Sequence, residues 1–416
     1  MATVKAFRAS GHWPTLATAF IYFDFSFAVW VLLGVLGVFI SRQFHLSVAQ
    51  TAWMVAIPTL GGALFRIPLG YLADRIGARR TAVLAVLLSM IPLIIGWLSA
   101  NTLPVVYTVA VLLGVAGGSF AVAMPLGGRW YGADRQGLVL GLVGAGNTGT
   151  LLATFFAGRL AQTAGWHADF GIALIPMALV LLLLIFVAKE APSRSGKGGE
   201  AVGRSRVFRD RDAWIASGFY ALTFGGFVGI SSYMSVYFHT RFGLQPVEIA
   251  DVLSLLALAG SAARPFGGWI ADRAGAPMVL AVTFSGLCMA MLLLAVMRGL
   301  PAVELLLLAA MVLFGLGNGA LFQFIPQIFP HRFGLVAGMV GEAGGLGGFF
   351  LPIILGYAKA TLGHYQVGFA VLAGVSAIAL AVIVRVRARW MAQSSVFAAL
   401  LDTRRDDLFK QESQAQ

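Results

Sequence analysis

An all-α polytopic membrane fold, with twelve transmembrane helices in two pseudo-symmetric six-helix bundles, is what this sequence predicts. Three observations carry that reading: apolar residues come in long unbroken runs, charged residues are scarce, and the second half of the chain repeats motifs of the first. Of 416 residues, 59% are hydrophobic and 11% charged. A water-soluble domain carries roughly 25% charged residues, so too little polar material is present here to cover a globule. The apolar runs are about 20 residues long, the length that crosses a hydrocarbon core roughly 30 Å thick.

Hydropathy places the spans near 15–40, 50–72, 81–99, 103–125, 138–161, 169–188, 214–238, 249–271, 277–297, 301–326, 334–358 and 365–387. The first is too long for a signal peptide and runs into Ser41-Arg42 rather than a small-residue cleavage site. The second holds Arg66 about sixteen residues from its start, and the eighth holds Arg264 at the equivalent place. Spans five and eleven are glycine-rich, and 51 glycines overall fit helices packed closely in lipid. The single cysteine, Cys288 in span nine, permits no internal disulfide and is expected to be a small buried packing residue.

Between spans six and seven, residues 189–213 contain Ser193-Arg-Ser-Gly-Lys-Gly-Gly199, a flexible cytoplasmic linker by composition. The expected organisation is therefore a first bundle over 1–188, the linker, a second bundle over 214–390 and a polar cytoplasmic tail over 391–416.

The formal charge of +12 is a matter of topology rather than of nucleic-acid binding. With both termini cytoplasmic, only Arg42, Arg159, Arg241, Arg298 and Lys359 of the 29 basic residues fall outside, and Arg66 and Arg264 lie within spans. The remaining 22 lie on the inner side, which is the positive-inside pattern of a multi-pass protein of the cytoplasmic (inner) membrane. Nucleic acid is accordingly not an expected partner.

The halves repeat in sequence. Arg66-Ile-Pro-Leu-Gly70-Tyr-Leu-Ala-Asp74-Arg75-Ile-Gly77 matches Arg264-Pro-Phe-Gly-Gly268-Trp-Ile-Ala-Asp272-Arg273-Ala-Gly275, and Gly141-Leu-Val-Gly144 matches Gly338-Met-Val-Gly341. Parallel internal repeats of six helices suit alternating access, one half rocking against the other about a midplane site. The stretch Gly70-Tyr-Leu-Ala-Asp74-Arg75-Ile-Gly77-Ala-Arg79-Arg80 resembles the loop signature of the major facilitator superfamily. In such a loop Asp74 can accept hydrogen bonds from helix N-termini, and Arg75, Arg79 and Arg80 can pair with acids across the bundle as a gate latch. The plainer reading is a basic loop that sets topology.

A charge at the depth of Arg66 or Arg264 costs at least ~2.5–3.5 kcal/mol and marks a functional site by default. Two symmetry-related guanidinium groups with no acid at comparable depth in their own spans leave the partner to be a small anion, for which the planar fork of arginine is suited. The alternative is that both pair with intramembrane acids and serve packing only.

Gly141-Leu-Val-Gly144-Ala-Gly146-Asn147-Thr-Gly149 and Gly338-Met-Val-Gly341-Glu342-Ala-Gly344-Gly345-Leu-Gly347-Gly348, at equivalent places in the two halves, resemble the signatures of the nitrate/nitrite porter family. Asp24-Phe-Ser-Phe27-Ala-Val-Trp30, Phe224-Gly-Gly-Phe-Val-Gly and Gly317-Asn318-Gly319-Ala-Leu-Phe-Gln323-Phe-Ile-Pro326 agree with it. The resemblance implies that Arg66 and Arg264 clamp nitrate or nitrite and that Asn147 is a neutral hydrogen-bonding partner, with Asn318 also at the site. It implies that the Tyr220 hydroxyl reaches the substrate while Phe224, Phe120 and Phe27 wall the pocket. The plainer reading of these aromatics is packing, in a chain with 31 phenylalanines.

The resemblance leaves the driving force open between nitrate/nitrite antiport and proton-coupled symport. Asp24 and Glu342 bear on it. Either takes up a co-transported proton, or one neutralises a buried arginine in the empty carrier, or Glu342 packs against the cytoplasmic loop. A carrier of another small anion, an organic carboxylate or cyanate, is the main rival, and a nitrate-binding sensor a remote one.

The six histidines lie at span ends or in loops, where solvation is the ordinary state. No metal-ligand spacing, phosphate-binding loop or nucleophile–base pair stands out. No metal, cofactor or enzymatic activity is expected, and a monomer in the bilayer is.

Overall fold

The computed structural model of this protein describes residues 11–131, 136–191, 208–329 and 333–414. Among the described residues there is no strand, and twelve helices are long and apolar enough to cross a membrane. They are α1 (Trp13–Gln43), α2 (Val48–Arg75), α3 (Ala78–Leu98), α4 (Leu103–Gly128), α5 (Val139–Ala164) and α6 (Trp166–Phe186). The second set is α7 (Arg211–Phe242), α8 (Pro246–Ala274), α9 (Ala276–Val296), α10 (Leu300–Ile328), α11 (Val336–Leu362) and α12 (Gln366–Ala392).

Each expected span is a helix, and most helices outrun the apolar segment because the hydrogen-bond ladder continues until a cap ends it. Ser47 opens α2 with a reciprocal cap: its hydroxyl accepts from the Gln50 amide while the Gln50 side chain accepts from the Ser47 amide. Gly243, at φ 68°, closes α7 in the left-handed region. At the C-terminus the difference is larger. The segment 391–416 contains no glycine or proline, and the backbone of the last span stays helical from Gln366 to Gln414. Most of the linker, 192–207, lies outside the described residues, as does His331.

Three helices are interrupted: α1 turns at Leu36, α4 breaks at Gly118 and Ser119, and α5 passes through a 3-10 turn at Ala145–Thr148. Short 3-10 stretches inside a helix mark hinges or strained functional segments, and the one in α5 lies in the glycine signature.

In each half the second and fourth helices meet through glycine. A Cβ on Gly114 would fall 2.5 Å from the Gly61 Cα, and one on Gly315 would fall 2.1 Å from the Gly260 carbonyl oxygen. Between halves, α1 packs on α7, α2 on α11 and α5 on α8. The outward faces are apolar, with Phe186 78% and Ile175 69% exposed, as expected of a surface solvated by lipid chains.

Polar contacts across the halves run from the centre to one end only, among the described residues. Arg42 Nη2 lies 2.9 Å from His239 Nε2, Ser235 Oγ donates to the Gly34 carbonyl at 2.7 Å, and Arg159 pairs with Asp251. That end is closed. His239 is therefore engaged rather than simply solvated, and so are His12, which caps α1, and His167, stacked 3.6 Å from the Trp166 ring. Cys288 is half-buried rather than fully enclosed.

Candidate functional site

The repeat places Arg66 on α2 and Arg264 on α8, and the fold turns both inward. They are 4% and 6% exposed. Each reaches across to the glycine signature of the other half. Arg66 Nη1 donates to the Gly341 carbonyl of α11, and a Cβ on Gly144 of α5 would stand 3.4 Å from Arg264 Nη2. The crossing explains why glycine occupies both positions: a larger side chain would meet the guanidinium, or Phe120 at 3.1 Å in the case of Gly341.

Neither guanidinium is satisfied. Arg66 Nε reaches the Gly117 carbonyl at 3.3 Å, and Arg264 Nη2 reaches the Tyr220 hydroxyl at 3.2 Å. Arg66 Nη2 and Arg264 Nη1 are buried with no partner. Among the described residues neither arginine forms a salt bridge, so packing pairs with intramembrane acids are not what holds them. The two cations repel one another, and Glu342, half-buried one residue after Gly341, exerts the opposing charge on Arg66. Cations left short of donors' partners in a water-poor interior exert a strong field on any anion that enters.

The walls are aromatic. The Arg66 Cζ lies 5.3 Å from the Phe120 ring centre, 5.5 Å from Phe224 and 5.5 Å from Trp30. Tyr220 and Phe224, one turn apart on α7, stack at 4.9 Å with ring planes 8° apart. Phe27 meets Phe224 edge-on at 6.0 Å. All four aromatic residues expected at the site are therefore brought together.

One wall was missed from sequence. Phe322 of α10 lies 4.9 Å from Tyr220, 5.7 Å from Phe120 and 5.7 Å from the Arg264 Cζ. The signal for it was available: Phe322 follows Asn318 by four residues and so shares its helix face. Asn318 itself is fully buried, and both side-chain amide atoms lack a partner.

Asn147, 1% exposed, sits in the 3-10 turn of α5. Its carbonyl accepts from Ser261 Oγ at 3.5 Å, three residues before Arg264 on α8. Assigning its side-chain amide the orientation that meets the surrounding acceptors puts the nitrogen 3.1 Å from the Gly144 carbonyl and 3.3 Å from that of Ala145. Gly146 and Gly149 bring this turn against the backbone of α1 at Asp24, Gly344 and Gly347 bring α11 against α7, and Gly345 brings α11 against Ala63 of α2. Asp24 is 9% exposed, and its carboxylate accepts from Thr148 Oγ1 at 2.5 Å. It neutralises neither arginine.

The basic loop stays within the first half. Asp74 pairs with Arg129, the residue that follows α4, instead of capping a helix, and Glu190 takes the capping role, accepting from the amides of Ala78 and Arg79 at 2.9 Å each. Arg79 binds the Leu184 and Ile185 carbonyls at the end of α6, Arg75 lies 4.6 Å over the Tyr71 ring, and Arg80 is exposed. Asp272 accepts from Gln323 in the second half, which repeats the α2–α4 tie of Asp74 and Arg129 as an α8–α10 tie.

Comparison with known proteins agrees with this architecture. The sequence profile of the Major Facilitator Superfamily matches residues 18–352. A nitrite extrusion protein of Bacillus subtilis is 32% identical over 351 residues, covering 84% of this chain and 88% of the relative. A probable nitrate/nitrite antiporter, NarK1, of Thermus thermophilus is 32% identical over 387 residues, covering 86% and 87%. This chain belongs to the major facilitator superfamily, in its nitrate/nitrite porter family. A probable nitrate transporter, NarT, of Staphylococcus carnosus is 28% identical, covering 85% of this chain and 91% of the relative. The inward-facing, occupied structure of a bacterial homologue of the human lysosomal transporter Spinster has a TM-score of 0.64 at 19% identity, over 91% of this chain and 96% of that one, and shows the same fold.

Proposed function

We propose that this chain moves nitrate and nitrite across the cytoplasmic membrane by alternating access, with the anion clamped between Arg66 and Arg264. The observation that carries the reading is the pair of buried, unpartnered guanidinium nitrogens, Arg66 Nη2 and Arg264 Nη1, one from each half, inside an aromatic box. A small planar oxyanion supplies two or more acceptors in one plane, which matches a guanidinium fork. The Asn318 amide adds an unspent donor, and Tyr220 orients Arg264; Asn147 is the further neutral group proposed to donate to the anion. The rings of Phe27, Phe120, Phe224 and Phe322 exclude water and favour a flat ion over a bulky carboxylate.

The crossed contacts suggest how binding drives movement. Without substrate the two cations repel and Arg66 is tied to Gly341; an anion between them replaces repulsion with attraction and draws the halves together at the centre. The bundles 1–188 and 214–390 are the rocking bodies, joined by the linker 189–213 and followed by the tail 391–416. Both termini face the cytoplasm on the positive-inside pattern, which makes the closed end at Arg42, His239, Arg159 and Asp251 the outer gate. The carrier functions as a monomer in the bilayer. Asp74, Arg75, Arg79 and Arg80 brace the first bundle at the inner gate.

Entry of a monovalent anion into a negative interior is opposed by about 2.3 kcal/mol per 100 mV, so transport exchanges anion for anion or brings a proton inward. Reconstitution in liposomes separates the two. Nitrate uptake that needs internal nitrite and ignores pH identifies an exchanger, and uptake driven by an inward proton gradient alone identifies a symporter. No movement of either ion in any gradient rejects the substrate assignment and leaves a carrier of another small anion.

A further inference from the structure

Asp24 is a carboxyl in the middle of α1, nine-tenths buried, and it belongs to no ion pair among the described residues. Arg66 of α2 and Tyr220 of α7, on helices packed against α1, are engaged with Gly341 and Arg264 instead, and Tyr22 on its own helix has an unpartnered hydroxyl. With no cation beside it, this carboxyl can be neutralised only by a proton. Its side-chain partner is the Thr148 hydroxyl at 2.5 Å, and the Gly149 backbone adds a hydrogen bond.

Thr148 has a second acceptor in reach, the Ala145 carbonyl at 3.1 Å. A hydroxyl carries one hydrogen and donates fully to one acceptor at a time. An ionised Asp24 takes that hydrogen, because bonds to a charged acceptor are about twice as strong as neutral ones. A protonated Asp24 competes less and lets the hydroxyl turn to Ala145. With the Asn147 amide in the orientation that meets its acceptors, its nitrogen reaches the same Ala145 carbonyl at 3.3 Å. A carbonyl oxygen has two lone pairs, so both donors can stay, but a full bond from Thr148 weakens the longer Asn147 one; one amide hydrogen stays on the Gly144 carbonyl at 3.1 Å and the other becomes available to an anion.

The geometry is tight enough to transmit the change. A Cβ on Gly149 would stand 1.8 Å from the Asp24 carbonyl oxygen and one on Gly146 3.0 Å from the Asp24 amide nitrogen, so α1 and the turn touch backbone to backbone. The turn Ala145–Thr148 is the 3-10 break in α5.

We propose that Asp24 is the proton-coupling residue of this carrier and acts through Thr148 and the Ala145 carbonyl to free one Asn147 amide hydrogen for the substrate. Thr148 is a positioning residue in this chain. The inference rests on the anion reading above and extends it: a proton on Asp24 both removes a negative charge near the anion and supplies the anion with a donor. One proton bound with one anion leaves the loaded carrier with no added charge.

The test is calorimetric titration of the purified full chain with sodium nitrate between about pH 5.5 and pH 8. One linked proton strengthens binding by up to about tenfold per pH unit of acidification. We expect that dependence in the wild type and its loss in Asp24→Asn, whose affinity stays at the acid-limit value. Thr148→Val should reduce the slope to below about threefold per pH unit, and Thr148→Ser should restore it. The Thr148 pair keeps the test decisive even where Asp24→Asn folds poorly. An unchanged slope in Asp24→Asn, a full slope in Thr148→Val, or loss of the slope in Glu342→Gln alone overturns the proposal. A wild type that binds neither nitrate nor nitrite at any pH overturns the anion reading as well, whereas the other three outcomes leave that reading standing.

Discussion

Arg264→Lys isolates what the guanidinium contributes beyond charge. Lysine keeps the positive charge at the same depth, so the long-range attraction for an anion and the constraint on insertion persist. What disappears is the planar fork: the Nη2 bond to the Tyr220 hydroxyl at 3.2 Å, the unpartnered Nη1, and the contact with the Phe322 ring at 5.7 Å. A hydrogen bond to a charged group is worth ~1.5–3 kcal/mol net. Losing one of those made to the anion should weaken nitrate binding about 10- to 150-fold. The dissociation constant from titration calorimetry, read beside a melting curve that confirms a folded protein, gives the answer. A dissociation constant within about threefold of wild type would falsify the claim that Arg264 grips the anion through its fork. The double variant with Arg66→Lys should cost less than the sum of the singles, since both groups act on one anion.

Phe322→Ala opens the wall between Tyr220 and Phe120; acetate should compete poorly with nitrate uptake in the wild type and inhibit it in the variant, and equal competition in both would remove Phe322 from the pocket. Gly149→Ala and Gly141→Ala form a contrasting pair. The first drives a Cβ onto the Asp24 carbonyl oxygen, whereas the second has nothing within 4 Å of the new atom. The first should abolish transport and lower the melting temperature, and the second should be neutral or stabilising by up to about 1 kcal/mol. His12 caps α1, its Nδ1 accepting from the Thr15 amide at 3.2 Å. Burial, with the nearby Lys189 charge, holds the His12 imidazole below its usual 6.5. Its folded form is thus the neutral acceptor, and the stability it contributes is present above that value and lost as the pH falls through it. The melting temperature of His12→Ala should lose this part of the acid sensitivity, measured by scanning calorimetry across the window.

Resemblance to the porter family pointed to Phe27, Phe120, Tyr220 and Phe224 as neighbours of the site; the sequence by itself determined the number of spans, the repeat, and the depth of Arg66 and Arg264. These were legible because bilayer thickness sets the length of an apolar run, and because a charge that lipid tolerates poorly stands out against 59% hydrophobic residues. That Tyr220 and Phe224 share one face of their helix followed from one-turn spacing, and their ring stack bears that out.

Only the tertiary structure decided which helix each arginine addresses. Arg66 and Arg264 cross to the signatures of the opposite halves, and helical periodicity says nothing about which face meets which partner across an interface. The same limit hid the partners of the acids: Asp74 could not be matched to Arg129, nor Asp24 to Thr148, because 55 and 124 residues of chain separate the paired groups. Spacing along one helix is a local property that backbone geometry enforces. Contact between helices depends on how small residues such as Gly146 and Gly149 let two backbones close on each other, and that is a property of the packed bundle alone.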